Sequence, residues 1–188
     1  GGQAKGVRLT DGTEIGAMKV VVSSVDPHQL CFELIGREHL DRRLVRRLET
    51  VMHGLTCITW YSWAVHELPQ YTSSSWNPDV NTCHWTLLGN KDLEMMLNEG
   101  LMRTLGQIPP IEGQLIVFGQ HSQYDPTRAP DGKHVVSTEQ QIVPAWTFSE
   151  REWMDYKRRH AEEVIAEWQQ YAPNMTWDNV IGYDPLTP

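Results

Sequence analysis

A segment rich in turn-forming residues separates two apolar runs in the second half of the chain. The first run covers residues 115–118, the turn-rich segment covers residues 125–134, and the second run begins at Val135. Proline presets the φ angle of a turn, and a glycine at position 132 can adopt the positive φ that closes one. The pattern therefore predicts two adjacent antiparallel strands, over residues 114–121 and 134–143, joined by a long loop.

Helix and strand signals alternate along the rest of the chain. An Asp-Gly turn at residues 11–12 predicts an N-terminal hairpin whose return strand reaches residue 22, and two further strands are predicted over residues 56–65 and 85–88. Helices are predicted from Asp26, over residues 40–54 and 92–105, and from Ser149 to residue 171, where Ser149 and Glu152 form a capping-box pattern. The predicted fold class is therefore α+β: a mixed or antiparallel sheet covered by helices, which the N-terminal hairpin precedes in the sequence.

Composition limits the classes of partner. A chain of 188 residues can bury one sizeable core, and its formal net charge of −8 without a long basic block argues against nucleic acid. No apolar run has the length of a membrane span, and no amphipathic anchor stands out. We therefore expect a cytoplasmic protein, and peripheral membrane contact stays open if the substrate is lipid-soluble.

The cysteines and one histidine pair bear on redox and metal chemistry. Cys31, Cys57 and Cys83 stand far apart, and an odd number fits no closed disulfide framework, so buried reduced thiols are expected. Cys83-His84 and the more distant His66 lack the spacing of a zinc site, so no metal is expected.

Titratable residues surround the long loop. Asp125 is interpreted as an acceptor that organises the turn, because its carboxylate can bind the backbone two residues on. His121 and His134 flank the loop, where they either approach each other across the strand pair or are solvated. Arg128 and Lys133 either pair with a substrate carboxylate or a neighbouring domain, or are solvated. No nucleophile elbow accompanies these residues, so the sequence assigns no catalytic residue.

Three segments together resemble a known family. They are Asp125-Pro126-Thr127-Arg128-Ala129-Pro130-Asp131-Gly132-Lys133-His134 between its strands, the N-terminal hairpin with its return strand, and Tyr171-Ala172-Pro173-Asn174 followed by Leu186-Thr187-Pro188. The pattern is similar to the FAD-dependent phytoene dehydrogenase family, which includes carotenoid desaturases, carotene isomerases and retinol saturase. The resemblance implies an oxidoreductase that acts on C–C bonds of an apolar small-molecule substrate, where the flavin carries the redox chemistry and the protein orients the substrate.

The part of the family pattern that binds the flavin is missing. No G-x-G-x-x-G follows a strand and opens a helix, so the chain has no pyrophosphate-binding turn. The resemblance implies that residues 1–25 are the hairpin and return strand of a flavin-binding domain and residues 26–188 are the substrate-binding domain. We therefore expect a piece of a longer parent whose flavin-binding domain holds FAD, and no cofactor bound by this piece alone.

Tryptophan is abundant, with eight residues in the chain. Four of them are candidates for substrate binding: Trp60, Trp63, Trp85 and Trp146. The resemblance implies that they form walls of an apolar substrate cavity. The alternative is that they fill the core between sheet and helices.

Two functions stay open at this point. The first is the substrate-binding portion of an FAD-dependent desaturase-, saturase- or isomerase-like oxidoreductase. The second is a non-catalytic binding or protein-interaction domain of the same ancestry, with the helix over residues 149–171 as its docking face.

Overall fold

The chain forms two compact units. The computed structural model describes residues 2–51, 56–89 and 91–188. The first unit is Gly1–His53 and the second is Gly54–Pro188. The assignment of residues 1–25 to a flavin-binding domain and of residues 26–188 to a substrate-binding domain stays a prediction.

A short hairpin opens the first unit. Strand β1 (Gly6–Arg8) pairs antiparallel with β2 (Glu14–Gly16), and Gly12 in the connecting turn has a φ of 88°. The hairpin is as predicted, but the predicted return strand to residue 22 is too long. Because β1 offers only three residues for pairing, β2 ends after three, and the side chains of Met18 and Val22 are exposed.

Two helical segments follow in this unit. The carboxylate of Asp26 accepts hydrogen bonds from the backbone N–H groups of residues 28 and 29, at the start of a π-helix over Gln29–Ile35. This agrees with the predicted helix start. Helix α1 (Arg42–Glu49) is capped by Asp41 and ends earlier than the predicted residue 54. The predicted continuation over residues 52–54 lies outside the described residues.

An antiparallel sheet of five strands forms the second unit. Its strands are β3 (Cys57–Val65), β4 (Trp85–Leu88), β5 (Ile116–Gly119), β6 (His134–Ile142) and β7 (Val180–Leu186), in the spatial order β4-β5-β6-β3-β7. Four of these were predicted. Strand β7 was missed because Gly182 and Pro185 favour a loop, but an edge strand tolerates both. The α+β class with an antiparallel sheet is confirmed.

One face of the sheet is covered by helix α4 (Glu150–Tyr171). The helix begins at the predicted capping box, in which the Ser149 hydroxyl and Glu152 exchange hydrogen bonds. Between helix and sheet lies the core, whose large, fully buried members are Tyr61, Trp63, Ile116, Phe118, Ile165, Trp168 and Met175. Side-chain burial on this scale is the main stabilising term of the unit.

Helix α2 (Leu93–Thr104) lies where a helix was predicted, and it is capped by Asp92, but the side that it buries is unexpected. Leu97 is 64% exposed, whereas Glu99 is 5% exposed and lies 2.6 Å from the Arg103 guanidinium. The amphipathic pattern therefore predicted the helix correctly, while its charged pair, and not its leucines, faces inward.

The long loop joins β5 to the adjacent antiparallel strand β6, as predicted. It contains the short helix α3 (His121–Tyr124) and a 3-10 turn over Pro126–Arg128, and Gly132 has a φ of 69°. The Asp125 carboxylate accepts hydrogen bonds from the hydroxyl and the N–H of Thr127, which lower the pKa of Asp125. Its predicted role as the acceptor that organises this turn is confirmed.

All three cysteines are free thiols. Cys31 and Cys57 are half-buried, but Cys83 is exposed, so the expectation of buried thiols is wrong for Cys83, which lies in the surface turn before β4. Within the described ranges, no helix is both long enough and apolar enough to cross a membrane.

Candidate functional site

Alternating side chains give the five-stranded sheet two different faces. In β3, Tyr61, Trp63 and Val65 point into the core, whereas Ile58 and Trp60 point to the opposite side. By strand register, the opposite side, which we call the open face, carries these residues: Ile58, Trp60, Ser62, Trp85, Leu87, Val117, Gly119, Ser137, Glu139 and Leu186. Several of its apolar side chains are exposed, among them Ile58 at 51% and Leu87 and Leu186 at 58%. By the same register, Gln141 and Asp184 lie on this face beside Glu139, so the open face is a mixed surface of exposed apolar and polar side chains. Exposed apolar side chains grouped on one face make it a candidate binding surface.

Two histidines and a serine are hydrogen-bonded in series on the open face. Nε2 of His84 lies 3.2 Å from Nδ1 of His121, and Nε2 of His121 lies 2.7 Å from the hydroxyl oxygen of Ser137. Ser137 is buried, His121 is half-buried and His84 is exposed. The series therefore leads from the sheet to the surface.

Aromatic rings enclose this series. The Trp60 ring is stacked with His121 at 6.4 Å, and the Trp85 ring meets His121 edge-on at 5.3 Å. The Tyr124 ring contacts His84 edge-on at 5.4 Å, and its hydroxyl donates to the carbonyl of Thr82. We call the set His84, His121, Ser137, Trp60, Trp85 and Tyr124 the histidine cluster.

Strand register brings the two histidines together. His84 directly precedes β4 and His121 follows β5, and Trp85 of β4 lies opposite Gly119 of β5. The backbone N–H of buried Gln120 donates to the His84 carbonyl at 2.8 Å, and the Gln120 side chain donates to the Cys83 carbonyl at 3.0 Å. These bonds hold the His84 peptide in place.

A side chain at position 119 would disrupt the cluster. An added Cβ would lie 2.7 Å from the Trp85 ring, 2.9 Å from Nε2 of His121 and 2.9 Å from the Ser137 hydroxyl. Such distances are shorter than real Cβ contacts, so a larger residue here would displace at least one of these three side chains from its present position.

The environment of His121 favours a neutral imidazole. Burial lowers its pKa, and the positive charge of Arg128 and the neighbouring His84 lower it further. At neutral pH the ring therefore has one N–H donor and one acceptor nitrogen, and the two hydrogen bonds of His121 must use one of each.

The structure separates the four candidate tryptophans. Trp60 and Trp85 lie together in the histidine cluster. Trp63 lies in the core, where its indole N–H donates to Thr138 at 3.1 Å and its ring stacks on Tyr183 at 5.2 Å. Trp146 is 68% exposed, and no ring contact found among the described residues includes it.

The other predicted histidines have separate partners. His134 lies 3.5 Å from the hydroxyl of Ser122, so it and His121 do not share a hydrogen bond. His66 lies 2.7 Å from the Lys133 ammonium. Sequence reasoning missed the pairing of His84 with His121. The signal was present, because a residue that precedes one antiparallel strand lies near a residue that follows its neighbour.

A metal site needs a cluster of ligating side chains, and a flavin site needs a strand that leads into a helix. Within the part of the chain that the structure describes, no group of three or more His, Cys, Asp or Glu side chains is placed to hold a metal. The strand pairs described are all antiparallel, and a dinucleotide's pyrophosphate is bound where a parallel strand turns into a helix. The residues described here therefore do not fit an FAD pyrophosphate site.

Comparison with known proteins supports a relationship to oxidoreductases. The chain matches no protein-family model. It is 29% identical over 191 residues to "Pyridine nucleotide-disulfide oxidoreductase domain-containing protein 2" of Mus musculus, and equally similar to the protein of that name from Rattus norvegicus. Each alignment covers 100% of this chain and 32% of the relative. The chain is a distant relative of these proteins. It spans about a third of their length, and the narrower resemblance to phytoene dehydrogenases is not shown by them.

Proposed function

We propose that this chain is the substrate-binding portion of an FAD-dependent oxidoreductase that acts on C–C bonds of an apolar substrate. The observation that carries the proposal is the open face, an exposed sheet surface on which apolar side chains surround a built cluster of polar groups. Ligand sites in proteins combine these two features, since apolar walls supply affinity and a few fixed polar groups supply orientation.

The similarity to oxidoreductase relatives supports this proposal. Because the chain covers 32% of those relatives, the remaining length is where we place the flavin-binding domain, with residues 1–25 as its hairpin. FAD would be held by that domain and not by the residues described here. The open face would then cover the substrate, and a second wall would come from the flavin-binding domain of the same parent chain.

Trp60 and Trp85 are the side chains that we place against the substrate. Both are on the open face, and the Trp60 indole N–H donates to Ser62 at 3.2 Å, which fixes the orientation of the ring. A fixed aromatic surface binds an apolar molecule at low entropic cost. Trp63 lies beneath them on the core side, and it would influence the substrate only through packing.

The proposal is tested in the longer parent protein with squalene in detergent micelles as the apolar probe. We expect a yellow protein with bound flavin. Replacing Trp60 by Ala should raise the KM for squalene and leave the flavin content unchanged, because contact with the substrate is lost while the cofactor is not touched. Trp76→Ala is the matched control, since Trp76 is 85% exposed and lies outside the open face.

Two results would contradict the proposal. A parent protein without flavin would favour the alternative, a non-catalytic interaction domain. A Trp60→Ala variant with the KM of the wild-type parent would remove the open face from substrate binding.

A further inference from the structure

The two hydrogen bonds of His121 are linked. The distances fit two directions of the series. In one, the Ser137 hydroxyl donates to Nε2 of His121, and Nδ1–H of His121 donates to His84. In the other, Nε2–H of a neutral His121 donates to Ser137, so Nδ1 of His121 carries no proton and accepts from Nε2–H of His84. His84 then has its single proton on Nε2. Its other nitrogen, Nδ1, is left with a free lone pair, and no hydrogen bond within the described ranges uses it.

We propose that His84 is a proton-accepting catalytic residue of the open face, and that His121 and Ser137 are the positioning residues that fix its tautomer. The proton acceptor is Nδ1 of His84, the outermost ring nitrogen of the series. The hydrogen bond between His121 and Ser137 fixes the tautomer of His121, and the hydrogen bond between the two histidines then fixes the tautomer of His84.

Three features show that the series is built and not accidental. Its inner end is buried, because Ser137 is 1% exposed. The series packs closely on Gly119, since an added Cβ would lie 2.9 Å from both His121 Nε2 and the Ser137 hydroxyl, so one of these side chains would have to move. Finally, the backbone on both sides of the His84 peptide bond is held by Gln120, which is itself fully buried.

The inference rests on the proposed function for its chemistry. Oxidation of a C–C single bond to a double bond removes two hydrogens, and one of them leaves the substrate as a proton. That proton would pass to Nδ1 of His84, and the electron pair of its C–H bond would form the new double bond. The second hydrogen would leave the adjacent carbon as hydride, and its acceptor would be the oxidised flavin that the proposed function places in the longer parent. The imidazolium that forms donates through Nε2–H to His121, so the charge is stabilised by a hydrogen bond in a partly desolvated site.

The first test uses this chain alone and needs neither substrate nor flavin. Nitrogen-15 NMR of the histidine rings at pH 7.5 should show a proton on Nε2 and none on Nδ1, in both His84 and His121. Ser137→Ala removes the acceptor that fixes His121, so the tautomer ratio of His84 should fall about tenfold, the effect of one lost hydrogen bond. Ser75→Ala is the control, because Ser75 is exposed and its hydroxyl donates to the Thr72 carbonyl, outside the open face and the histidine cluster. It should leave the ratio unchanged.

The second test probes access to the free nitrogen. Diethyl pyrocarbonate acylates neutral imidazole nitrogens, and mass spectrometry of peptides reports each site. His84 should react at least about ten times faster than His121, because both nitrogens of His121 are already hydrogen-bonded.

The third test uses the flavin-containing parent, with squalene micelles as the probe. His84→Gln should slow reduction of the flavin by roughly 10²–10⁴-fold, the usual contribution of general acid–base catalysis, without loss of flavin. His66→Gln, which alters a histidine outside the cluster, should not.

The outcomes are distinguishable. A proton on Nδ1 of His84, a Ser137→Ala variant with an unchanged tautomer ratio, or equal acylation of His84 and His121 would overturn the inference and leave the proposed function intact. If the flavin is reduced at the same rate in the wild-type parent and in the His84→Gln parent, the inference would likewise be overturned and the proposed function would stay intact. A wild-type parent that lacks flavin or is not reduced by squalene would contradict the proposed function, and the tautomer measurement would still decide the arrangement of the series.

Discussion

His160 is the least exposed titratable residue of helix α4, and a chain of buried amides fixes a proton on its Nε2 nitrogen. The Gln114 side-chain amide donates to the Pro109 carbonyl at 2.7 Å, Gln140 donates to Gln114 at 2.9 Å, and His160 Nε2 lies 2.6 Å from the Gln140 oxygen. A carbonyl can only accept, so both amide orientations follow from Pro109 and His160 must donate through Nε2. Burial lowers the pKa of His160, although Glu163, 3.3 Å from Nδ1, acts in the opposite direction.

The stability of the second unit should therefore fall as pH falls below about 6.5, the ordinary pKa of histidine. The sign follows because the unfolded chain binds the His160 proton more readily than the folded chain does. Glu163, Arg159, Tyr61 and Tyr156 also act on this site, and none of them has an ordinary pKa between 5.5 and 7.5.

Urea unfolding at pH 7.5, 6.5 and 5.5 measures the effect. The free energy of unfolding should decrease by at most about 1.4 kcal/mol per pH unit on account of His160. His160→Gln should reduce this dependence, and His66→Gln, an exposed control, should keep it. His121 contributes with the same sign in all three proteins and cancels in the comparison. An equal dependence on pH in the His160→Gln variant would show that His160 is not neutral in the folded state.

Sequence reasoning did not single out His160, for a physical reason. Its spacing from Tyr156 and Val164 places it on the apolar stripe of α4. From the sequence alone, a buried histidine at this position cannot be told from a solvated one, because the strand that faces it is not known. The partner, Gln140, is a polar residue on the core side of β6. Only the fold shows that these two polar groups satisfy each other.

At the scale of elements, local signals predicted what local interactions determine. The capping box gave the start of α4 and Asp92 gave the start of α2, because each cap satisfies backbone groups within its own first turn. The existence of β7 depends on β3, a pairing partner distant in sequence, and the length of β2 depends on how many residues β1 offers for pairing. Both were misjudged. The side of α2 that faces inward was also misjudged. An amphipathic pattern identifies an apolar stripe, but it does not show whether another element packs against that stripe.

Helix α2 buries a charged pair and exposes its leucines, so we expect an unusual pattern of mutational effects. Leu97→Ala should change the free energy of unfolding by less than about 0.5 kcal/mol, because an exposed leucine loses little burial on truncation. Glu99→Ala should cost about 3 kcal/mol, because it leaves the half-buried Arg103 guanidinium without its carboxylate. Chemical denaturation of the two variants gives both values. If Leu97→Ala proved the more destabilising change, α2 would face the other way.

At the scale of the whole molecule, the α+β class was predictable and the candidate site only in part. Alternation on β3 predicted that Trp60 and Trp63 lie on opposite faces, but not which face is covered, because that depends on where α4 packs. The histidine cluster depends on the register between β4 and β5, which the sequence does not show. The cytoplasmic location, the peripheral membrane contact and the absence of nucleic-acid partners stay predictions.

The cofactor gives the last prediction. This chain, purified alone, should be colourless and bind no FAD. Flavin sites need a strand–turn–helix unit whose helix N-terminus receives the pyrophosphate, and neither the G-x-G-x-x-G pattern nor a parallel strand pair occurs in the described residues. Absorbance near 450 nm after incubation with FAD and gel filtration measures binding, and the longer parent protein, which we expect to be yellow, is the positive control. A stoichiometric flavin spectrum from the isolated chain would place the flavin-binding groups within these 188 residues and contradict the proposed division of roles between the chain and its parent.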